Sequence, residues 1–264
     1  GSSRHSLNQK EKTMIKRILG ILIPLMTCAT LVAQSEPLIS WTRIIKPKSG
    51  KQEQFVKAVA AKTEKFNSQK GDEVIRTYRI IDGPDEGSFV RTGLAGPWAQ
   101  FDETSEQQQA GYDYWFKHVA PYIDSGKGRQ FWSTSAEMSY NGTGKTGPPA
   151  YVMLRYYNIK PNTSFAKLAK QTIETSKATN ADFRLGWYRL ESGGDRSTWV
   201  FASVFDSFSE LDKGNSGFWA AYEKHNGEGS AAKWFEEFGN ILQANPNARA
   251  ATIYKYRPDM STPE

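Results

Sequence analysis

Cysteine and histidine are nearly missing from this chain: one Cys and three His in 264 residues. A lone thiol forms no disulfide within one chain, and it rules out every zinc site that needs two or more thiolates. Long apolar runs are as scarce. The one candidate, residues 18–32, is interrupted by Pro24 and falls short of the ~20 residues a membrane-spanning helix takes. No basic run is interleaved with aromatic residues after it, so nucleic acid is not an expected partner. Nothing resembles a Ser-His-Asp or Cys-His arrangement. The neighbouring carboxylates Asp72-Glu73, Asp85-Glu86 and Glu236-Glu237 fall in turns or on helix faces and single out no general acid. Aromatic residues, by contrast, are plentiful: 8 Trp, 12 Tyr and 14 Phe supply enough apolar surface to offset chain entropy, which excludes a disordered chain.

From Met14 the sequence has the form of a secretory leader. Lys16 and Arg17 precede the apolar stretch, and small Ala33 ends it, so residues 14–33 are read as a signal peptide cleaved after Ala33. Residues 1–13 are read as a non-native or upstream segment. The competing readings are a membrane anchor and lipidation at Cys28, the latter weakened by Thr27, where lipoprotein signals usually carry Gly, Ala or Ser. Export to a bacterial periplasm or exterior is therefore expected, with no stable membrane anchor after cleavage. Residues 1–33 hold five of the basic and one of the acidic residues, leaving 29 against 27, a net +2 in place of +6. His5 and Cys28 leave with them, so the basic balance of the whole chain no longer points to an acidic partner.

The rest of the sequence repeats itself. Tyr78-Arg79-Ile80-Ile81-Asp82-Gly83 returns as Tyr188-Arg189-Leu190-Glu191-Ser192-Gly193, and the same spacing carries Phe89-Val90 onto Trp199-Val200 and Trp98 onto Phe208. Ile45-Lys46-Pro47 matches Ile159-Lys160-Pro161, and Trp115-Phe116 matches Trp234-Phe235. Two copies are expected, residues 38–140 and 150–258. Between them lies a Gly- and Pro-rich linker, 141–149.

Each copy has one element order. In the first, a strand at 38–46 is followed by a helix at 49–67, with Phe55, Val59 and Phe66 on one stripe and Ser49 able to cap it. Strands at 74–81 and 88–94, a helix at about 105–124 and a strand at 129–140 complete the unit. In the second, a strand at 151–159 leads to a helix at 164–177 with Phe165, Ala169, Thr172 and Ile173 inward. Strands at 183–191 and 198–205, a helical region and a strand at 249–257 follow. The order β-α-β-β-α-β is the ferredoxin-like, split βαβ unit, which leaves one sheet face bare. Two such faces stacked together make a barrel interior.

On this element order and duplication, the chain resembles a single-chain member of the dimeric α/β-barrel superfamily. The fold class expected is α+β, with two fused ferredoxin-like repeats as a pseudo-dimer. The superfamily contains antibiotic-biosynthesis-type monooxygenases, chlorite-dismutase-like haem proteins, and EthD-like and NIPSNAP-like domains. The resemblance implies a small apolar or aromatic ligand in or beside the barrel. Its alternatives are a cofactor-independent or haem-dependent monooxygenase-like enzyme, and a non-catalytic protein-interaction scaffold. No cofactor is predicted from the residues themselves; haem enters only through the resemblance.

Five residues are singled out as ligand-binding. His118 lies at the border of the apolar stripe of its helix, where an imidazole can face a pocket as a proton carrier or a haem ligand, or can simply be solvated. It is the weak catalytic candidate. Arg79 and Arg189 stand at matching places mid-strand and would hold an anionic group if they face the cavity; facing outward, their stems cover apolar surface. Trp98 and Trp115 could stack on an aromatic ligand, as could Trp132, Trp187, Trp219 and Trp234, though all are equally at home in a core. Two His and no Cys after the leader leave only carboxylates to complete a metal site, so none is expected. Gly144-Lys145-Thr146 is no phosphate loop: Ser139 stands where the first Gly belongs, and Gly147-Pro148-Pro149 prevents the helix that should follow. The second copy also carries an extra segment, residues 217–229, the candidate variable element of a scaffold.

Overall fold

The computed structural model describes residues 37–264 except 162, 215 and 244–250. The leader, the segment before it, Cys28 and the first two residues of the strand expected at 249–257 lie outside the described residues. No described helix is long and apolar enough to cross a membrane.

Ten strands form one sheet: β1 (Leu38–Pro47), β2 (Ile75–Ile80), β3 (Phe89–Gly93), β4 (Ile123–Gly126), β5 (Gln130–Thr134), β6 (Ser139–Asn141), β7 (Tyr151–Asn158), β8 (Arg184–Ser192), β9 (Thr198–Phe205) and β10 (Ala251–Tyr256). Eight of them run in the order β3-β2-β10-β7-β9-β8-β5-β1, and β1 pairs with β3 to close a barrel. Every pairing is antiparallel. The two short strands extend its rim, β4 on β1 and β6 on β8. In both halves the last strand lies beside the first, the first beside the third, and the third beside the second. Closure removes the open edges on which a free sheet would aggregate.

Helices cover the outside. α1 (Gln52–Phe66) and α2 (Glu106–Tyr114) cover the first half; α3 (Phe165–Ala178), α4 (Ser216–Asn226) and α5 (Ser230–Ile241) cover the second. Strand alternation therefore meets apolar surroundings on both faces, barrel interior on one and helices on the other. On the first half's outer face Phe55, Val59 and Trp115 pack on Ile45 and Phe89. On the second, Phe165, Leu168, Ile173, Trp234 and Phe238 surround Trp187. The inward stripe of α3 holds as read, with Phe165, Ala169, Thr172 and Ile173 all buried.

Several expected boundaries move. Lys51, not Ser49, stands at the N-cap of α1, with no side-chain cap bond. The helix expected to reach 124 ends at Tyr114. It widens into one π-helical turn, Trp115–Val119, and a 3-10 turn containing Pro121, which cannot donate a backbone N–H, before β4 begins. The strand expected at 129–140 is two, β5 and β6, separated by a turn at Ala136–Met138. The extra segment at 217–229 falls mostly within helix α4, whose Tyr222 is fully buried against the second core, so it is no variable loop.

Candidate functional site

An eight-stranded barrel is normally just filled by its own side chains. Here several inward positions are short: Ser40 and Thr42 on β1, Thr92 on β3, Gly186 on β8, Ala202 on β9. At Gly186 a Cβ would press on the Tyr188 ring at 3.1 Å; Gly93, which alternation along β3 turns outward, makes room for the Trp41 indole, 2.3 Å from where its Cβ would stand. The result is a cavity of about 500 Å³ within the barrel, in the size range of small-molecule sites.

Five tyrosines line this space together with Trp132: Tyr140 on β6, and four more deeply set ones, Tyr78 on β2, Tyr156 on β7, Tyr188 on β8 and Tyr254 on β10. The Tyr156 and Tyr254 hydroxyls are 3.2 Å apart and share a hydrogen bond. Trp132 Nε1 donates to Thr42 Oγ1 at 3.0 Å, which fixes its ring beside Tyr156. Burial governs the phenols. It pushes Tyr78 up to about 12, opposed by Arg76, and holds Tyr156, Tyr188 and Tyr254 above their ordinary value. All four stay protonated at neutral pH, as hydrogen-bond donors.

The charged groups of the lining are two, Arg76 and Arg184, and they share one end of the barrel. β2 and β8 are four antiparallel pairings apart, so they run in the same direction, and both arginines lie at the start of their strands. The exposed members of the lining, Leu94, Ala95 and Asn141, follow β3 or pair beside Arg184, which makes this end the mouth. Arg184 Nη1 donates to the carbonyls of Lys145 and Gly147, at 3.2 and 3.0 Å.

Of the five residues singled out from sequence, none lines the cavity. Arg79 pairs with Phe89, and Arg189 with Trp199, on the outward face; the tyrosines beside them point inward, as alternation requires. Trp98 is half exposed on a 3-10 turn against Phe101 and Phe131. Trp115 is buried in the first outer core under the Arg91 guanidinium. His118 is exposed, stacked on Tyr114 at 4.3 Å, and His225 is exposed near the end of α4. Trp132 alone of the wider aromatic set faces the cavity; Trp187 and Trp234 belong to the second outer core, with Trp219 packed against it. Arg76 and Arg184 were missed. Counted by twos along the inward face, Tyr78 leads back to Arg76, and Tyr188 leads back through Gly186 to Arg184, so both follow once the inward face is known. Among the described residues no group of three or more His, Cys, Asp or Glu is placed to hold a metal ion.

No protein-family model matches the chain, and no curated protein matches its sequence. Solved structures do match by fold. A candidate monooxygenase from Lactobacillus acidophilus aligns with a TM-score of 0.53 at 11% identity, over 86% of this chain and 97% of that one. A second candidate monooxygenase, from Fusobacterium nucleatum, gives 0.53 at 9% identity, over 83% and 92%. A chlorite dismutase variant from Candidatus Nitrospira defluvii, determined with cyanide, gives 0.50 at 10% identity, over 88% and 95%. At such identities the likeness concerns fold. The chain has a mixed α+β fold of the dimeric α/β-barrel type, an eight-stranded barrel closed within one polypeptide and covered by helices.

Proposed function

We propose that the protein binds a small, largely apolar or aromatic molecule inside the barrel. One observation carries this: the cavity of about 500 Å³ is walled by aliphatic strand residues, five tyrosines and Trp132, with no Asp, Glu, His or Lys in the lining. Such a wall combines a large apolar contact area with a few fixed hydroxyl donors, the usual make-up of a small-molecule site. It offers no general base, because a phenol with a raised pKa is fully protonated at neutral pH and leaves no phenolate to take up a proton. Binding is therefore better supported than turnover.

The monooxygenase-like alternative draws on the two candidate monooxygenases of the same fold; in this cavity its proton chemistry would fall to the Tyr156–Tyr254 pair. Haem proteins occur within the superfamily, but the residues here do not fit a haem held by imidazole in the barrel, since both described histidines are exposed and outside the cavity. The tyrosines would have to bind iron as phenolates, against the rise burial imposes on them. The scaffold reading loses its variable element, because α4 is anchored by Tyr222.

The two halves are taken as tandem ferredoxin-like copies. Their common strand order supports this, as do the matched residues, with Tyr78 and Tyr188 both facing the cavity and Trp115 and Trp234 both in outer cores. The protein is also taken to be exported. The mass of the secreted chain is expected to equal that of residues 34–264; a secreted or cell-retained form still carrying residues 14–33 would refute cleavage.

The binding proposal is tested with N-phenylnaphthylamine, an uncharged fluorescent probe. One site per chain is expected, and Ala202→Phe or Val152→Phe, each adding a ring to the cavity wall, should remove it while circular dichroism is unchanged. No binding by the parent protein, or equal binding by both plugged variants, would overturn the proposal.

A further inference from the structure

The cavity has chemically different ends. At the deep end Tyr156 and Tyr254 bond to each other beside Trp132, Leu190 and Val200, which are buried together. At the mouth stand two guanidiniums and no carboxylate of the lining. Arg76 makes no hydrogen bond or ion pair with any described residue, although it is only partly exposed. Arg184 donates to backbone carbonyls and pairs with no carboxylate; Asp206, which its charge reaches, is itself bonded to Lys145. The carboxylates nearest this end are engaged or displaced: Asp206 is paired with Lys145 and accepts from the Ala150 N–H, and Glu264 lies against Gly147, outside the lining. Both arginines act on the Tyr78 phenol, so the two cations reach one region of the mouth.

Two like charges brought together beside a low-dielectric space repel each other, and closure of the barrel does not require them. The mouth ends of β1, β3, β7 and β9 carry Ser40, Thr92, Val152 and Val204 in the lining. A guanidinium is suited to an oxyanion because its planar donors meet two oxygens at once.

Resting on the cavity as the binding site, we infer that its ligand is an organic acid: an apolar, ring-bearing body lying between Trp132 and the tyrosines, and one anionic head held at the mouth by Arg76 and Arg184. Tyr78, the next inward residue after Arg76, and Tyr188, which follows Arg184 beyond Gly186, donate to the same head or to an oxygen beside it. The ligand enters body first, because the deep end offers no cation to balance a buried charge.

The test compares two probes with one ring system, anilinonaphthalene sulfonate and uncharged N-phenylnaphthylamine, on the full chain. The parent protein should bind the sulfonate about tenfold more tightly than the neutral probe, and each of Arg76→Gln and Arg184→Gln should weaken sulfonate binding about tenfold while leaving the neutral probe within twofold. Arg76→Lys, which keeps the charge and loses the planar fork, should recover part of the loss. Ala202→Phe should remove both signals, which separates the cavity from adventitious surface binding. If the neutral probe binds in the cavity but the sulfonate has no advantage, or keeps it in both glutamine variants, the anionic head is wrong and the cavity reading stands. If neither probe binds the parent protein, both fail together.

Discussion

Phe165→Ala is expected to destabilise the protein by about 3–5 kcal/mol, the range for truncating a buried phenylalanine in a close-packed core. Phe165 opens α3 and is 2% exposed. Its ring meets Trp199 at 4.6 Å, Trp187 at 5.0 Å and Phe238 at 6.0 Å, the first two edge-on, so truncation removes dispersion contacts on several sides and leaves a void that indoles are too rigid to fill. In a chain of this size the loss corresponds to a fall in Tm on the order of 10 °C. Phe116 is the control: it is 70% exposed on the turn after α2, and Phe116→Ala should lie within about 0.5 kcal/mol of the parent. Urea unfolding of the three proteins decides the matter. A Phe165 loss below about 1 kcal/mol would mean that this aromatic cluster is not packed as described.

The same residue shows what could be read from sequence. Phe55 and Phe165 each head an amphipathic stripe and each meet the aromatic residue of a matched pair, Phe89 and Trp199. Helical periodicity and the repeated spacing were thus enough for element order and outer cores. The site was less legible. In a one-sided sheet, alternation names the buried face; here both faces of every strand are covered, by helices outside and by the opposite half inside, so Tyr78-Arg79 gives no sign of which residue looks inward. The cavity exists because of what is small, Ser40 on β1 and the cross-strand partners Gly186 and Ala202 on β8 and β9, and no local pattern reports a void. The end of α2 was hidden for another reason. Trp115, Val119 and Tyr122 keep a helical spacing through the π-helical turn, and only the chain's return to β1 through β4 breaks it.

A pair of buried cations in the first half sets the second large expectation. Lys62 on α1 is 7% exposed and donates from Nζ to Asn67 Oδ1 at 2.6 Å, beneath Gly111 of α2. Arg91 on β3 is 4% exposed, donates to Thr63 Oγ1 at 3.1 Å and stacks over Trp115, with its Nε left without a partner. Burial, reinforced by Arg91 and opposed by Glu73 and Asp72, pushes the Lys62 amine down to about 8. Below pH 8 both folded and unfolded chains hold this proton, and the folded state carries the whole penalty, about 3 kcal/mol at ~1.4 kcal/mol per unit. Between pH 8 and 10.5 the unfolded chain binds more protons than the folded one, so this group's contribution to stability rises with pH. The buried phenols work with the opposite sign above pH 10, since Tyr78 keeps its proton up to about 12, and comparison with a variant cancels them. Lys62→Met should therefore be more stable than the parent at pH 7 by about 1–2 kcal/mol, the relieved penalty less the cost of leaving Asn67 Oδ1 unpaired. As pH rises from 8 to 10 the difference should shrink and then reverse, because the parent sheds its buried charge while the variant still lacks the hydrogen bond. Urea titrations of both proteins at pH 7, 8.5 and 10 measure it, and two curves that stay parallel across that range would show that Lys62 is not desolvated.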